Sequence, residues 1–403
     1  MPSGQVIYSL GMTNSPISKL SAEFASLKAP HMAFFRGSKW AAKQGSPGIS
    51  DFVVGNPHED PIAGIEEALK KWSTPQRADW FAYKLSEPSA QAVVSRTLRD
   101  ETGIGFESQD IAMTPGSFGA MPVVFRAVMD PGDELIFNTP GWFFYAELAQ
   151  PYGVKSVPVG LEPPRFDLDP EAIGAAITPK TRVVLINSPH NPTGRIYQPE
   201  ALARLGEILN EASEKNQRPI YLLSDESYKK VTFEDLPFHP PAAHYDRTFV
   251  MYTYGKTLLA PGQRIGYLAV PPTMPDKELV MASVLGAQLN GGWAFPNALM
   301  QHALGDLEGL SIDLKHLQTK RDRMVEGLKQ AGYRLEAPEG TFYLLVKCPT
   351  PDEDRFVDAL AARDVFVLPG LLADAPGYFR ISLTANDEMI DRALPIFAEL
   401  AEE

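Results

Sequence analysis

The sequence predicts an α/β protein: a large domain with a mostly parallel sheet covered by helices on both faces, followed by a smaller α+β domain. Three observations favour this fold class. Short apolar, β-rich runs alternate with helical patterns through the middle of the chain, which is typical of parallel sheets. The pattern changes near residue 285. The 403 residues are also too many for one ordinary hydrophobic core.

Five apolar runs predict the strands of the large domain. Helical stretches such as residues 199–216 lie between several of these runs, as expected where crossover helices join parallel strands. The runs are DELIF (133–137), RVVLIN (182–187), IYLLSD (220–225), TFVMY (248–252) and IGYLAV (265–270).

The smaller domain is predicted from the C-terminal part of the chain. Residues 311–334 predict a long helix that Ser311 caps and Gly332 ends. Strand-like and helical patterns follow at 341–347, 352–363, 378–383 and 386–402. We therefore predict three parts: an N-terminal segment (1–50) that packs with the small domain, a large ligand-binding domain (51–285) and a small domain (286–403).

Composition argues against several classes of partner. A net charge of −13 without a basic stripe argues against nucleic acid. Cys348 is the single cysteine, which excludes an internal disulfide and a thiolate metal cluster and favours the cytoplasm. No apolar stretch is long enough to span a bilayer, and residues 1–20 lack the pattern of a secretory signal. We therefore expect a cytoplasmic protein without a membrane partner or a metal.

Three turns in the large domain carry candidate ligand groups. Gly116 and Ser117 precede an apolar helical run, and such a turn either holds a phosphate or only caps a helix. Trp142 follows Pro-Gly after a strand, where its indole either stacks on a flat ring or packs in the core. Asn191, in the tight turn Asn-Pro-Thr-Gly, either donates to a ligand oxygen or serves the turn alone, and His190 beside it is more often structural.

Two further segments place ionisable groups next to buried runs. Asp225 ends an apolar strand, where a carboxylate is costly unless a cation or donors satisfy it; the alternative is a helix N-cap. Tyr228 lies three residues further on. Lys256 lies between apolar segments, and a partly buried lysine is a usable nucleophile or base. Thr253 and Arg264 flank it, and the fork of an arginine matches phosphate or carboxylate oxygens.

One ligand would use all of these groups together. It needs a phosphate, a flat heteroaromatic ring, a phenolic oxygen, a ring nitrogen and an aldehyde, and pyridoxal 5′-phosphate has each of them. On these residues the sequence resembles the fold-type I pyridoxal-phosphate enzymes of the class I/II aminotransferase family. The resemblance runs from SPISKLSAEF (15–24) to the end, and its most specific motifs are NPTG (191–194), SDESY (224–228) and YGKTLLAPGQRIGY (254–267).

The resemblance implies a role for each candidate around the cofactor ring. Lys256 would form the covalent imine with the cofactor aldehyde and would move the substrate proton. Asp225 would pair with the protonated ring nitrogen and keep the ring electron-poor. Tyr228 and Asn191 would hydrogen-bond the phenolic oxygen, and Trp142 would stack on the ring face.

The same resemblance implies which residues hold the phosphate and the substrate. Arg380 would bind the substrate α-carboxylate bidentately, with Asn191 beside it, and Gly55 would let the backbone approach the substrate. Tyr83 would reach the phosphate of a neighbouring subunit, although Glu87 and Pro88 stand where the family usually has a glycine. The phosphate would be held by Gly116, Ser117, Phe118, Thr253 and Arg264.

The implied reaction is ping-pong transamination between an L-amino acid and a 2-oxo acid, in a homodimer with shared active sites. Segments 31–48, 83–90 and 288–299 depart from the family pattern where substrate is chosen, so a specialised lyase, decarboxylase or oxidase is the alternative. A non-catalytic binding protein lacks support, because the lysine, aspartate and arginine are all present. Four residues of the first segment either line the substrate pocket or pack against the small domain: Phe34, Phe35, Arg36 and Trp40.

Overall fold

The computed structural model describes residues 16–401, which form two sheets with helices packed around them. Residues 1–15 of the predicted N-terminal segment and residues 402–403 of the predicted small domain lie outside the described residues. The strands are β1 (Ser50–Phe52), β2 (Ile111–Thr114), β3 (Glu134–Thr139), β4 (Lys155–Gly160), β5 (Thr181–Asn187), β6 (Tyr221–Asp225), β7 (Thr248–Thr253), β8 (Gly266–Ala269), β9 (Tyr343–Lys347), β10 (Val365–Pro369) and β11 (Tyr378–Ser382).

The helices of residues 16–401 are too short or too polar to cross a membrane. They are α1 (Lys19–Leu27), α2 (Ala29–Gly37), α3 (Lys39–Lys43), α4 (Ile65–Ser73), α5 (Pro88–Thr102), α6 (Ser117–Val128), α7 (Tyr145–Ala149), α8 (Pro170–Ala176), α9 (Pro199–Asn216), α10 (Tyr254–Thr257), α11 (Lys277–Gly291), α12 (Ala298–Leu307), α13 (Leu314–Gln330), α14 (Glu353–Ala362) and α15 (Asp387–Ala401).

The large sheet has seven strands in the order β2-β8-β7-β6-β5-β3-β4. Strands β3 to β7 run parallel, and β8 runs antiparallel to both of its neighbours. Alternate residues of β5 point to opposite faces. Val183 and Leu185 pack in a core with residues of α6 and α11, whereas Val184 and Ile186 pack with residues of α8 and α9. The predicted α/β class, with a mostly parallel sheet covered on both faces, is confirmed.

The small sheet has the order β1-β10-β11-β9 and packs on α13, α14 and α15. The described part of the N-terminal segment joins it through β1, which pairs with β10. Trp40 of α3 is buried against Phe366 and Leu368 of β10, and its indole N–H donates to Asp51 at 2.9 Å. The segment therefore packs on the small sheet through both backbone and side chains.

The predicted boundary at residue 286 falls inside α11. This helix packs against α6, a helix that covers the large sheet. Helix α12 contributes Met300 and Leu304 to a core that also contains Val250 of β7. After α12, the first buried residue to join the core of the small sheet is Ile312. This packing favours a boundary near residue 310, and the division of the chain into domains stays a proposal.

The long helix of the small domain starts later than its sequence predicts. The expected cap, Ser311, lies outside it, because the Asp313 carboxylate accepts from the backbone N–H groups of Lys315 and His316 at 3.0 Å. Aspartate is as good an N-cap as serine. At the other end Gly332 has a φ of +92°, the left-handed conformation that commonly follows a helix.

Candidate active site

The candidate site lies at the carboxyl edge of the large sheet. Strands β5, β6 and β7 end at Asn187, Asp225 and Thr253, and Asn187 pairs in register with Asp225. Helix α6 begins at Ser117, just after β2. Open α/β sheets bind ligands at this edge, because strand ends and helix starts meet there. A cavity of about 280 Å³ opens between these elements.

This cavity brings together most of the residues that the sequence singles out. Gly116 lies directly behind the lining, and Tyr83 lies outside it. The predicted residues in the lining are Gly55, Ser117, Phe118, Trp142, Asn191, Asp225, Tyr228, Thr253, Lys256, Arg264 and Arg380.

Asp225 is a buried carboxylate with hydrogen-bond donors but no cation within ion-pair distance in residues 16–401. Its Oδ1 accepts from the Ser227 backbone at 3.1 Å and from the Ser227 hydroxyl at 2.5 Å, and its Oδ2 accepts from Tyr145 at 3.0 Å. Burial raises its pKa, although these donors and the charge of Lys256 oppose the shift. In the described chain no α-helix directly follows β6, so the alternative of a helix N-cap was wrong.

Lys256 extends from the short helix α10, directly after β7. Its Nζ lies 5.7 Å from the ring centroids of both Tyr228 and Phe342. Among the described residues, it has neither a hydrogen-bond nor an ion-pair partner. A half-buried amine at a cavity wall, held between two rings, is therefore free to react with a ligand.

The turn before α6 forms a cradle with Arg264 and Thr253. Gly116 has a φ of +75°, and an added Cβ would lie 2.8 Å from Arg264 Nη2 and 3.2 Å from Thr253 Oγ1, so only glycine fits. Ser117 is the first residue of a twelve-residue helix, where free N–H groups and the helix dipole favour an anion. The Arg264 side chain stays exposed to solvent, and partial desolvation lowers its pKa, with no carboxylate facing it in the described chain.

Arg380 of β11 is buried, whereas its sequence context alone suggests a surface arginine. Its Nη1 donates to Asn191 Oδ1 at 3.1 Å and its Nη2 donates to the Val53 carbonyl at 2.9 Å, while the guanidinium lies 4.0 Å from the ring centroid of Tyr343. Its buried Nε has no partner among residues 16–401. Because arginine has five donors, Nε and the second hydrogen of Nη2 remain available for a carboxylate on one edge.

Tyr228 and Asn191 occupy the wall between Lys256 and Arg380. Burial raises the pKa of Tyr228 well above its usual value, so its hydroxyl remains protonated at neutral pH. Tyr343 differs: burial raises its pKa, but the charges of Arg380 and Lys256 outweigh burial and the net shift is downward. The Asn191 backbone N–H donates to the side chain of Asn187 at 2.8 Å, which fixes the turn in the cavity.

Aromatic rings and one glycine shape the remaining walls. Trp142 and Phe118 meet edge to face, with ring centroids 5.6 Å apart. Trp142 lines the cavity and also packs on the core that contains residues of α6 and α11. Its two predicted roles, stacking on a flat ring and packing in the core, are therefore compatible. An added Cβ at Gly55 would lie 2.6 Å from the Tyr343 hydroxyl and 2.7 Å from Phe342, so a larger residue would displace the wall.

Two candidates lie away from this chemistry. Tyr83 is 88% exposed, with its ring 5.0 Å from that of Phe295, and its role at a neighbouring subunit's phosphate stays a prediction. His190 is buried and its Nδ1 lies 2.8 Å from the Thr193 hydroxyl. Burial lowers the pKa of His190 to about 3, so the ring is neutral and serves the turn.

Sequence reasoning missed three residues that hold Asp225. They are Ser227, Tyr145 and Asn187, whose Nδ2 donates to the Asp225 carbonyl at 2.8 Å. Ser227 and Asn187 carry a signal, since one lies in the SDESY motif and the other ends a predicted strand. Tyr145 carries none, because nothing in the run WFFY distinguishes it.

The aromatic residues of segment 31–48 pack around Trp40. The rings of Phe34 and Phe35 lie 5.8 and 5.6 Å from it, and neither lines the cavity. Phe35 also lies 6.0 Å from Phe143, which does line the cavity. The segment therefore packs against Phe143 of the cavity wall without lining the cavity itself. Arg36 does not line the cavity either.

A family model described as aminotransferase class I and II matches residues 48–397. The chain belongs to this family. It is thus an aminotransferase, an enzyme that transfers nitrogenous groups, and membership supports transamination. A chain 30% identical over 357 residues is the aspartate/prephenate aminotransferase of Thermus thermophilus, with 86% of this chain and 90% of that protein covered.

Solved structures agree with this family assignment. An aminotransferase from Eubacterium rectale superposes with a TM-score of 0.84 at 28% identity, covering 100% of this chain and 99% of the other. Thermus thermophilus aspartate aminotransferase with maleate gives a TM-score of 0.79 at 26% identity, covering 96% and 100%. The predicted fold-type I architecture is confirmed.

Pyridoxal 5′-phosphate is the cofactor of this family, and the donor set of the cavity fits it. Among the described residues, a buried carboxylate without a cation suits a protonated ring nitrogen, and an amine without a partner suits an aldehyde. The cradle of Gly116, Ser117 and Arg264 suits a phosphate. These groups lie around one cavity of about 280 Å³.

Proposed function

We propose that this aminotransferase binds pyridoxal 5′-phosphate in the cavity and exchanges an amino group between an L-amino acid and a 2-oxo acid by a ping-pong mechanism. The observation that carries the proposal concerns two groups on the walls of one cavity. Within residues 16–401, Asp225 is buried without a cation and Lys256 is an amine without a partner. Burying a carboxylate without a countercharge costs free energy, and burial raises the pKa of Asp225. Both arrangements are explained by a ligand that is cationic at one end and electrophilic at the other.

The chain's own residues divide into three groups by what they would hold. Ser117, Thr253 and Arg264 would hold the phosphate. Tyr228 and Asn191 would donate to the phenolic oxygen. The remaining lining would hold the ring and the substrate: Asp225 at the ring nitrogen, Trp142 at the ring face, and Arg380 at the substrate carboxylate, with Gly55 leaving space beside it.

The bound cofactor would supply an electron-withdrawing ring and an aldehyde carbon that accepts an amine. Lys256 would hold the cofactor through that carbon in the resting enzyme, and its Nζ, when not so bound, would take the substrate Cα proton. Asp225 would stay ionised and stabilise positive charge at the ring nitrogen. Arg380 would fix the substrate by its carboxylate, so that the Cα hydrogen is presented to Lys256 in each half-reaction.

Borohydride reduction tests the covalent assignment. Holoenzyme treated with borohydride should yield a pyridoxyl adduct on the peptide that contains Lys256, and Lys256→Ala should abolish both the adduct and turnover. Lys230→Ala is the matched control, since this lysine lies on the same sheet edge but pairs with Glu308. An adduct on any other lysine would contradict the proposal.

A single amino acid distinguishes transamination from the alternative reactions. Mixed with one amino acid and no oxo acid, the enzyme should convert once to the pyridoxamine form and stop. L-aspartate is an obvious first donor to test, because the Thermus thermophilus relative is named an aspartate/prephenate aminotransferase. Continued turnover under these conditions would instead indicate a lyase, a decarboxylase or an oxidase.

A homodimer with shared sites and a cytoplasmic location are also part of this proposal. Exposed apolar side chains support the dimer: Phe81, Tyr83, Leu289 and Phe295 are all at least 45% exposed, and Tyr83 contacts Phe295. Light scattering should give twice the chain mass of 44.3 kDa, and Tyr83→Ser should weaken cofactor retention if the site is shared. The single cysteine supports the location, which cell fractionation would test.

A further inference from the structure

We infer that the substrate side chain accepted here is bulky and apolar, and that Phe143 is the residue that selects it. This inference rests on the proposed function, and it names the substrate class of the same site. It departs from the aspartate named for the relatives.

The first argument is the charge inventory of the cavity. Within the described chain its cationic lining residues are Lys256, Arg264 and Arg380. The proposed function already uses all three, for the covalent link, the phosphate and the α-carboxylate respectively. None of these described cations remains for a second carboxylate on the substrate. In the proposed dimer such a cation would have to come from the neighbouring subunit, and the exposed side chains that support the dimer are uncharged. Transferring an unpaired carboxylate from water into a buried site is strongly unfavourable.

The second argument is the wall beside Arg380. Its Nη2 donates to the Val53 carbonyl at 2.9 Å, so the next residue, Val54, lies beside the place of the substrate carboxylate. Val54 lines the cavity together with Phe143, and both belong to the apolar cluster around Trp40. A substrate held by Arg380 therefore meets an apolar wall.

The third argument is that Phe143 is held from behind. The rings of His31 and Phe35 lie 5.1 and 6.0 Å from its ring. Lys28 donates to its carbonyl and is paired with Glu147 at 2.6 Å, both side chains being buried. The charge of Lys28 is thus already neutralised by Glu147, and the Phe143 ring is held facing the cavity.

Both binding and half-reactions test the inference on the holoenzyme. Calorimetry with unreactive carboxylates should show 3-phenylpropanoate binding at least tenfold more tightly than succinate. Half-reactions followed by absorbance should give L-phenylalanine or L-leucine a rate at low concentration at least tenfold above that of L-aspartate, because a single methylene group in an apolar pocket is already worth about ten- to 200-fold.

Two substitutions localise the effect. Phe143→Leu should weaken 3-phenylpropanoate binding by about five- to tenfold and leave succinate binding unchanged. Phe34→Leu is the matched control, since Phe34 belongs to the same apolar cluster around Trp40 but lies outside the cavity lining, and it should change neither affinity.

The outcomes separate the two proposals. Succinate binding as tightly as 3-phenylpropanoate, or L-aspartate reacting as fast as L-phenylalanine, would overturn the specificity inference and leave transamination standing. Equal effects of the two phenylalanine variants would overturn the role of Phe143. If no amino acid shifts the spectrum of the holoenzyme, the proposed function fails, and the two carboxylate affinities still decide the apolar character of the pocket.

Discussion

Asp225→Asn separates the charge of this carboxylate from its shape. The amide keeps an oxygen for both donors of Ser227, at 3.1 and 2.5 Å, and its nitrogen can donate to the Tyr145 hydroxyl at 3.0 Å. The three contacts that hold the side chain are therefore retained. What the substitution removes is one negative charge behind the ring position.

Asp225→Asn should lower the activity of the holoenzyme but should not lower the stability of the apoprotein. An opposite charge at close range shifts a pKa by about 1–3 units, and each unit corresponds to about 1.4 kcal/mol. Losing it should therefore slow the half-reaction about ten- to 1000-fold. Without cofactor, burial raises the pKa of Asp225 above its unfolded value, so its ionisation destabilises the fold as pH rises past that value. The variant apoprotein should be at least as stable as wild type at pH 7.

The matched control is Asp133→Asn, at the opposite edge of the same sheet. Asp133 is buried like Asp225, but its two oxygens accept from Arg218 at 2.5 and 2.7 Å. Burial raises its pKa, but Arg218 outweighs burial and lowers it overall, so its contribution to stability is present at neutral pH and lost in acid. This variant should lose about 1–3 kcal/mol of unfolding free energy and keep its half-reaction rate.

Denaturant unfolding of the two apoproteins and stopped-flow half-reactions of the two holoenzymes give the four measurements. We expect Asp225→Asn to lose activity and Asp133→Asn to lose stability. If Asp225→Asn kept the wild-type rate while binding cofactor, the charge behind the ring would be irrelevant and the central assignment of the site would be refuted.

Four further substitutions, one of them a control, test other parts of the structure. Arg380→Lys keeps the charge but loses the fork, so the KM for the amino acid should rise about tenfold or more, and an unchanged KM would exclude Arg380 from carboxylate binding. Gly194→Ala should greatly destabilise the fold, because its φ is +74° and an added Cβ would overlap Pro338, whereas Gly103→Ala, at φ +70° in open space, should lose only about 1 kcal/mol in denaturant unfolding. Burial raises the pKa of Glu226 to about 7, so the unfolding free energy of wild type relative to that of Glu226→Gln should fall by up to about 3 kcal/mol between pH 5 and 8, and a difference that does not change with pH would contradict the shift.

The cofactor side of the site could be predicted because its residues follow strands in a fixed order. Asp225 and Thr253 end apolar runs, and parallel strands place such ends at one edge. Lys256 follows directly. Their meeting at one edge needs only local pattern and one rule about sheets, whereas their roles toward a cofactor rest on the family resemblance and stay a proposal.

The substrate side could not be predicted from local pattern. Arg380 bonds Asn191 and the Val53 carbonyl, partners 189 and 327 residues away, and no periodicity encodes such contacts. Tyr145 reaches Asp225 across 80 residues in the same way. The domain boundary is hard to predict for a similar reason. The apolar residues of α12 do not show whether the helix packs with the large sheet or with the core of the small sheet.

The two sides of the cavity therefore come from different sheets. Residues that would hold the cofactor extend from the large sheet, whereas Arg380 lies on β11 of the small sheet and Val54 follows β1 of that sheet. The guanidinium of Arg380 joins this side to the Asn191 turn. Changes in the N-terminal segment behind Phe143 can reshape the substrate wall without altering the ring or phosphate contacts. This separation would let a chain keep the predicted cofactor motifs while segment 31–48 departs from the pattern that the resemblance implies, and it places the search for specificity there.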